Sequence, residues 1–209
     1  MPHDDFNFEP VRGLPEVLPQ DEYILWQGNP DPWRLAVEAL AIRWIAGYFG
    51  LLSLWRVVTS SSELPLAQAL VHGVPFLLVG ALACLIVLGL ATVMARSTVY
   101  TLTNKRVAMR IGVALTMTLN LPYRWIGTAR LDARRSGTGT LAFELLGETR
   151  FSYLMTWPHV RPWRIGRTQP ALRCIADAQK VADIFAEAAE AQVSLPQVEH
   201  APFGAIAAE

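Results

Sequence analysis

Polarity along this chain changes its period near residue 96. From Pro75 to Ala95 the apolar residues Phe76, Leu77, Leu78, Val79, Leu82, Leu85, Ile86, Val87, Leu88 and Leu90 run together, with Cys84 as the one weakly ionisable group. At ~1.5 Å rise per residue such a run crosses a hydrocarbon core of about 30 Å. A signal peptide would combine a short apolar centre with an N-terminal position, whereas residues 1–30 are acidic and proline-rich. The run is therefore predicted to be a retained membrane anchor. A second apolar segment, about Leu35 to Val58, is interrupted by Glu38, Arg43 and Arg56. Arg43 and Arg56 lie near its two ends, where long stems reach the headgroups, and Trp33, Trp44, Tyr48 and Trp55 suit the same interfaces. It reads as a second span, with an amphipathic helix lying on the surface as the alternative. The polar link from Thr59 to Pro65 then closes a helical hairpin over residues 35–95, with helices at about 35–58 and 66–95.

Beyond Arg96 the period becomes two. Tyr100 and Leu102 alternate with Thr101 and Thr103; Val107, Met109 and Ile111 with Ala108 and Arg110; Leu115, Met117, Leu119 and Leu121 with Thr116, Thr118 and Asn120. These are predicted to be three half-buried antiparallel strands, turning at Asn104 and Gly112. A fourth runs through Trp125–Asp132, a turn follows at Ser136–Gly139, and Leu141, Phe143 and Leu145 mark one face of the next strand. Gly147 and Glu148 should turn the chain into a strand holding Phe151 and Tyr153. Residues Trp157–Pro170 read as an ordered loop, and Val181, Ile184, Phe185 and Ala188 fall at helical spacing within about Asp177–Ala191. The expected domain thus covers residues 96–191, preceded by an acidic segment at 1–34 and followed by a flexible tail at 192–209.

Charge sharpens this division. Residues 1–34 carry two basic and seven acidic side chains, a net of −5, and residues 35–95 balance to zero. Fourteen basic residues against four acidic ones give 96–180 a net of +10, and 181–209 carry −5. Arg96, Lys105, Arg106 and Arg110 follow the second apolar run closely, while the link at 59–65 has no Lys or Arg. By the positive-inside rule both termini are expected in the cytoplasm. Cys84 falls in the membrane run and Cys174 in the predicted cytoplasmic part, which supports neither a disulfide nor a zinc site.

Catalytic patterns are missing from the sequence. His3, His72, His159 and His200 are scattered without metal-ligand spacing, and no Ser or Cys sits in a nucleophile setting. Gly137-Thr-Gly139 lacks the spacing and following helix of a phosphate cradle and reads as a hairpin turn. A non-enzymatic protein with no metal and no cofactor is expected. His72 could ligate a pigment magnesium from within a membrane helix, but its place before Gly73 and Pro75 reads first as a polar helix end. The most unusual surface candidates are Trp157, His159, Arg161, Trp163, Arg164 and Arg167, stiffened by Pro158 and Pro162. Indole and guanidinium groups stack, pair with carboxylates and meet lipid headgroups, so these six are the candidate partner- or lipid-binding residues. The alternative is that the Trp rings plug the domain while the Arg side chains are merely solvated. Nucleic-acid binding is not expected, because the charge is spread over a tethered domain without a recognition helix.

Tyr100-Thr-Leu-Thr-Asn-Lys-Arg-Val107 resembles the first strand and hairpin of bacterial PH-like domains. Leu121-Pro-Tyr-Arg-Trp-Ile126 and the leading Asp21-Glu-Tyr-Ile-Leu-Trp-Gln-Gly28 resemble further motifs of that superfamily. The implied fold class is an α+β membrane protein: a two-helix transmembrane hairpin followed by a PH-like β barrel with a C-terminal helix. Arg110–Pro122, Gly137-Thr-Gly139, Tyr153–Arg164 and Gln169–Cys174 resemble more closely the PuhB family, the photosynthetic reaction-centre assembly proteins of purple bacteria. The resemblance implies an inner, intracytoplasmic-membrane factor that promotes reaction-centre assembly, with effects on the light-harvesting antenna. Its implied partners are reaction-centre subunits or assembly intermediates, together with membrane lipids. It transfers no catalytic residues. A homodimer stays open, since Gly47, Gly50, Gly80 and Gly89 permit close helix approach without naming the partner. The rival reading is a membrane-anchored PH-like lipid-binding or scaffold protein unrelated to photosynthesis.

Overall fold

The computed structural model describes residues 11–113, 115–147 and 151–193, and in it strand β1 (Ile24–Gly28) forms before any helix. The helices α1 (Pro32–Glu38), α2 (Ile42–Ser60) and α3 (Leu66–Ser97) follow. Strands β2 (Val99–Thr103), β3 (Arg106–Ile111) and β4 (Met117–Pro122) come next, then a single 3-10 turn at Tyr123–Trp125. Strands β5 (Ile126–Ala133) and β6 (Gly139–Leu145), the short helix α4 (Tyr153–Thr156), β7 (Ala171–Ile175) and α5 (Ala178–Val193) complete the order. The expected tail at 192–209 falls, from residue 194 on, outside the described residues.

The strands make two antiparallel sheets, ordered β1-β2-β3-β4 and β5-β6-β7. They do not close into the barrel expected from the sequence. Pro122, which cannot donate a ladder hydrogen bond, ends β4, and the 3-10 turn redirects the chain into a separate sheet. The inner faces share one core: Tyr100, Leu102, Met109 and Leu121 from the first sheet meet Leu141, Phe143 and Leu172 from the second. Helix α5 closes it with Val181 and Phe185, whose ring packs edge-on to Tyr123 at 5.4 Å and tilted on Phe143 at 5.1 Å.

β1 lies within the stretch that the sequence assigns to an acidic leader, yet it pairs with β2 along Gln27↔Thr101 and Gly28↔Tyr100. The helices are thus an insertion between the first two strands. Residues 11–22 then cover the other face of β2. A Cβ on Gly13 would stand 2.6 Å from Val99, and Gln27 bonds both the Arg12 carbonyl and Thr101. The buried Glu22 carboxylate accepts from Thr103 and from Arg106 Nε, each at 2.8 Å. Consequently β2 is buried on both faces and β3 nearly so, where alternation predicts half-burial.

The first apolar segment is broken rather than continuous. Asp31 caps α1 through the Arg34 amide at 2.7 Å, with Pro32 at the first turn. Ala41 then takes a left-handed φ of 55° and bends α1 from α2 by 60°. The break follows from tertiary contacts: Leu35 packs on Ala95 and Cys174, and Glu38 pairs with Arg134 at 3.0 Å. Only α3, 32 residues long with a strongly apolar centre, is by itself long and apolar enough to cross a membrane among the described residues. The expected pair of comparable spans is corrected to one such helix, with α2 qualifying only jointly with α1. The two nonetheless pack closely. Ser53 Oγ donates to the Gly73 carbonyl at 3.0 Å, and a Cβ on Gly80 would sit 2.6 Å from Phe49 Cβ.

Two local expectations also fail. Phe151 and Tyr153 are not in a strand, because Tyr153 opens the single turn of α4. The edge strand is instead β7, whose Ala-Leu-Arg-Cys-Ile sequence is buried on both faces and so shows no alternation.

Candidate functional site

The loop from Trp157 to Pro170 is held at its base and free at its tip. At the base His159 N–H donates to Thr156 O, Ala171 N–H to His159 O, and Arg161 N–H to Gln169 O, all at 2.8–2.9 Å. Arg161 Nη1 also reaches Gln169 Oε1 at 3.1 Å. Beyond this rung Pro162 to Arg167 are exposed, and Trp163 is 90% accessible. Trp163 does not plug the domain. Its φ of 64° is a conformation that a bulky side chain adopts only under constraint from its surroundings, at a cost of about 1–2 kcal/mol. Ile165 is exposed beside it, so the tip presents two apolar side chains among Arg161, Arg164 and Arg167.

Trp157 belongs to a second apolar patch. With Met155 it lines a shallow groove of about 260 Å³ together with Leu90 and Met94 of α3 and Val113. Leu154 and Met155 project into solvent at 84% and 70% exposure, so apolar surface continues from α3 onto α4. The structure brings Arg161, Trp163, Arg164 and Arg167 together on one loop and sets Trp157 beside the apolar helix.

His159 leaves the surface set. It is 2% exposed and sits between the two sheets and α3. Tyr100 Oη lies 2.6 Å from its Nδ1 and Thr98 Oγ1 lies 3.2 Å from its Nε2. Thr98 donates onward to the Met94 carbonyl at 2.8 Å, and Arg173 N–H reaches Tyr100 Oη at 3.3 Å. The chain is satisfied when the imidazole is neutral, accepting from Tyr100 at Nδ1 and donating to Thr98 from Nε2. Burial, helped by the Arg173 charge, pushes His159 down to about 3, and burial pushes the Tyr100 phenol up. Neither group titrates near neutrality, so this network is a strut joining β7, β2 and α3. Sequence reading missed Thr98, Tyr100 and Arg173 as its other members, since no periodicity reports a contact between residues 59 to 73 positions apart.

His72 is exposed and lies 3.2 Å from Ser60 Oγ, which fits the polar helix-end role. His3 and His200 lie outside the described residues. No group of three or more His, Cys, Asp or Glu is placed to hold a metal ion among the described residues.

The residues that build these two sheets, the inserted helices and the C-terminal helix have relatives among known sequences. A family model described as Bacterial PH domain matches residues 40–189. This chain belongs to the bacterial PH domain family. That bacterial PH domain protein is also 43% identical over 204 residues to a Rhodobacter capsulatus protein, covering 97% of this chain and 95% of the other. The relative bears the name "Uncharacterized 23.7 kDa protein in puhA 5'region". A solved pleckstrin-homology domain protein from Shewanella loihica is 13% identical with a TM-score of 0.30, covering 44% of this chain and 71% of that one. The expected PH-like domain thus stands through family membership, with two open sheets in place of a barrel.

Proposed function

We propose that this bacterial PH domain protein is a non-enzymatic, membrane-attached assembly factor for the photosynthetic reaction centre, acting at the cytoplasmic face of the inner membrane. The observation that carries the reading is the near full-length, 43% identity to the Rhodobacter capsulatus protein whose name refers it to the puhA region. That context agrees with the sequence resemblance to the PuhB family. The molecule offers suitable parts: an apolar helix that can lie beside nascent membrane helices, and a basic, aromatic loop, starting at Trp157 beside that helix, for acidic partner loops or headgroups. Sheet pairing supports a double crossing. β1 and β2 are hydrogen-bonded neighbours, so the inserted helices must leave and re-enter on one side of the bilayer. If α3 crosses, the bent α1–α2 pair crosses too.

Deleting the gene and recording near-infrared absorbance under photosynthetic growth conditions tests the assignment. The strain should accumulate little reaction centre although the structural genes are still transcribed. Normal reaction-centre absorbance would refute it and leave a lipid-binding or scaffold protein outside photosynthesis as the standing alternative.

A further inference from the structure

On the outer face of the second sheet, away from the shared core, lies an open cleft of about 660 Å³. Strand alternation builds its floor. Arg130 and Asp132 of β5 stand opposite Ala142 and Thr140 of β6, and Ala142 in turn pairs with Ala171, two residues before Arg173 on β7. Arg134 and Glu38 form one wall, and Arg161 with Pro162 forms another. Four guanidinium groups therefore meet two carboxylates in one depression. Glu38 is already engaged, accepting from Arg134 Nε at 3.0 Å and from the Cys174 thiol at 3.5 Å.

Arg173 is the unusual member. It is 5% exposed, and its Nη1 donates to the Pro158 carbonyl at 3.2 Å. Its Nε–H is buried and has no hydrogen-bond partner among the described residues. A buried charged donor left unmade costs more than an ordinary unpaired group, and structures seldom tolerate one without a use. Arg130 adds an exposed guanidinium that makes no hydrogen bond or ion pair among the described residues. Guanidinium forks match the oxygens of phosphate, and several converging on one depression give the geometry that binds it.

We propose that this cleft is a binding site for a phosphate-bearing anion, with Arg130, Arg161 and Arg173 as its donors. The shared chemistry is a phosphoryl group, carried by an anionic lipid headgroup or by a soluble phosphate compound. Glu38 ties the cleft to α1, and α1 packs through Leu35 on Ala95 in the last turns of α3. A lipid headgroup at the end of α3 could therefore reach it. The site is independent of the assembly role and would stand without it.

Full-length protein in a neutral detergent separates the possibilities. The thermal-unfolding midpoint is measured with inorganic phosphate, with short-chain phosphatidylglycerol, with short-chain phosphatidylcholine and with chloride at matched ionic strength. Phosphatidylglycerol alone raising the midpoint assigns the lipid source, and inorganic phosphate doing so as well assigns the phosphoryl group itself. Arg130→Gln, Arg161→Gln and Arg173→Lys should each weaken the effect about tenfold in ligand concentration, as expected for loss of one charged hydrogen bond. Arg135→Gln, outside the cleft, should leave it intact. Arg173→Lys tests a buried position and can fail to fold, but the variants at exposed Arg130 and half-buried Arg161 keep the proposal open to refutation. No shift with either phosphate probe, a shift matched by chloride, or a shift that survives Arg130→Gln and Arg161→Gln overturns it.

Discussion

At the scale of single residues, burial decides which groups of this protein do chemistry and which hold it together. His159 shows the difference. From sequence it stands among surface candidates because Trp157, Arg161 and Trp163 surround it, yet its ring bridges Tyr100 and Thr98 inside the domain. Its folded value of about 3 lies below the ordinary 6.5, so the unfolded chain binds the proton first. The stability this neutral ring contributes is complete above pH 6.5 and is lost as pH falls toward 3. The slope from this one group is about 1.4 kcal/mol per pH unit. Denaturant unfolding of wild type and His159→Gln between pH 6.5 and 4.5 should differ by roughly 2–3 kcal/mol in how much stability each loses, the wild type losing more. Parallel pH profiles would mean that His159 is not held neutral. Cys174 is a second case of burial. Buried beside Glu38, its thiol is pushed up to about 12 and stays protonated at neutral pH, unlike a reactive cysteine.

Among the elements, close helix approach carries the clearest consequence. Gly80 faces Phe49 so tightly that an added Cβ would stand 2.6 Å from Phe49 Cβ, whereas a Cβ on Gly89 meets nothing within 4 Å. Both glycines lie on α3, so the same replacement at each changes helix propensity alike and separates packing from intrinsic preference. Gly80→Val should destabilise the α2–α3 pair by about 1–3 kcal/mol, and Gly89→Val should not. Thermal unfolding of the two variants in detergent checks this, and equal midpoints would remove Gly80 from the interface. Sequence pattern was a good guide wherever an element has one wet face or is uniformly apolar. Val181, Ile184, Phe185 and Ala188 mark α5 because its opposite face is polar, and α3 announces itself by hydropathy. β7 is silent because both of its faces are buried, and β1 because its partner strand is distant in the chain, Gln27 pairing with Thr101, 74 positions on. The α1–α2 break hid for a related reason: the contacts of Leu35 and Glu38 that bend the chain come from Cys174 and Arg134, far downstream. Of the docking candidates, the exposed loop tip was legible as Trp, Pro and Arg in alternation, and Arg161 with it, while its cleft partners Arg130 and Arg173 lie on β5 and β7 and were visible only once the strands were in register.

For the whole molecule, the insertion of the helices between two paired strands fixes a parity. The last residue of β1 and the first of β2 belong to one sheet, so whatever lies between them crosses a membrane an even number of times or not at all. α3 has the length and hydropathy for one crossing. If α3 does cross, the return falls to the bent α1–α2 pair, in which α2 presents Trp44, Leu51, Leu54, Trp55 and Val58 outward and carries Arg43 and Arg56 toward its ends, where snorkelling is feasible. In the topology proposed above, the basic residues after Ala95, against none at 59–65, would set the sheets in the cytoplasm and the α2–α3 link outside. Single cysteines at Ser62 and Ser136, introduced in a Cys84→Ser background, test this with a membrane-impermeant maleimide. Buried Cys174 should stay silent in the folded protein. Ser62→Cys should label in intact spheroplasts and Ser136→Cys only after the membrane is opened. Labelling of both positions from the same side would mean that the helices do not cross, and α2 with α3 would then lie as a hairpin on one face of the membrane.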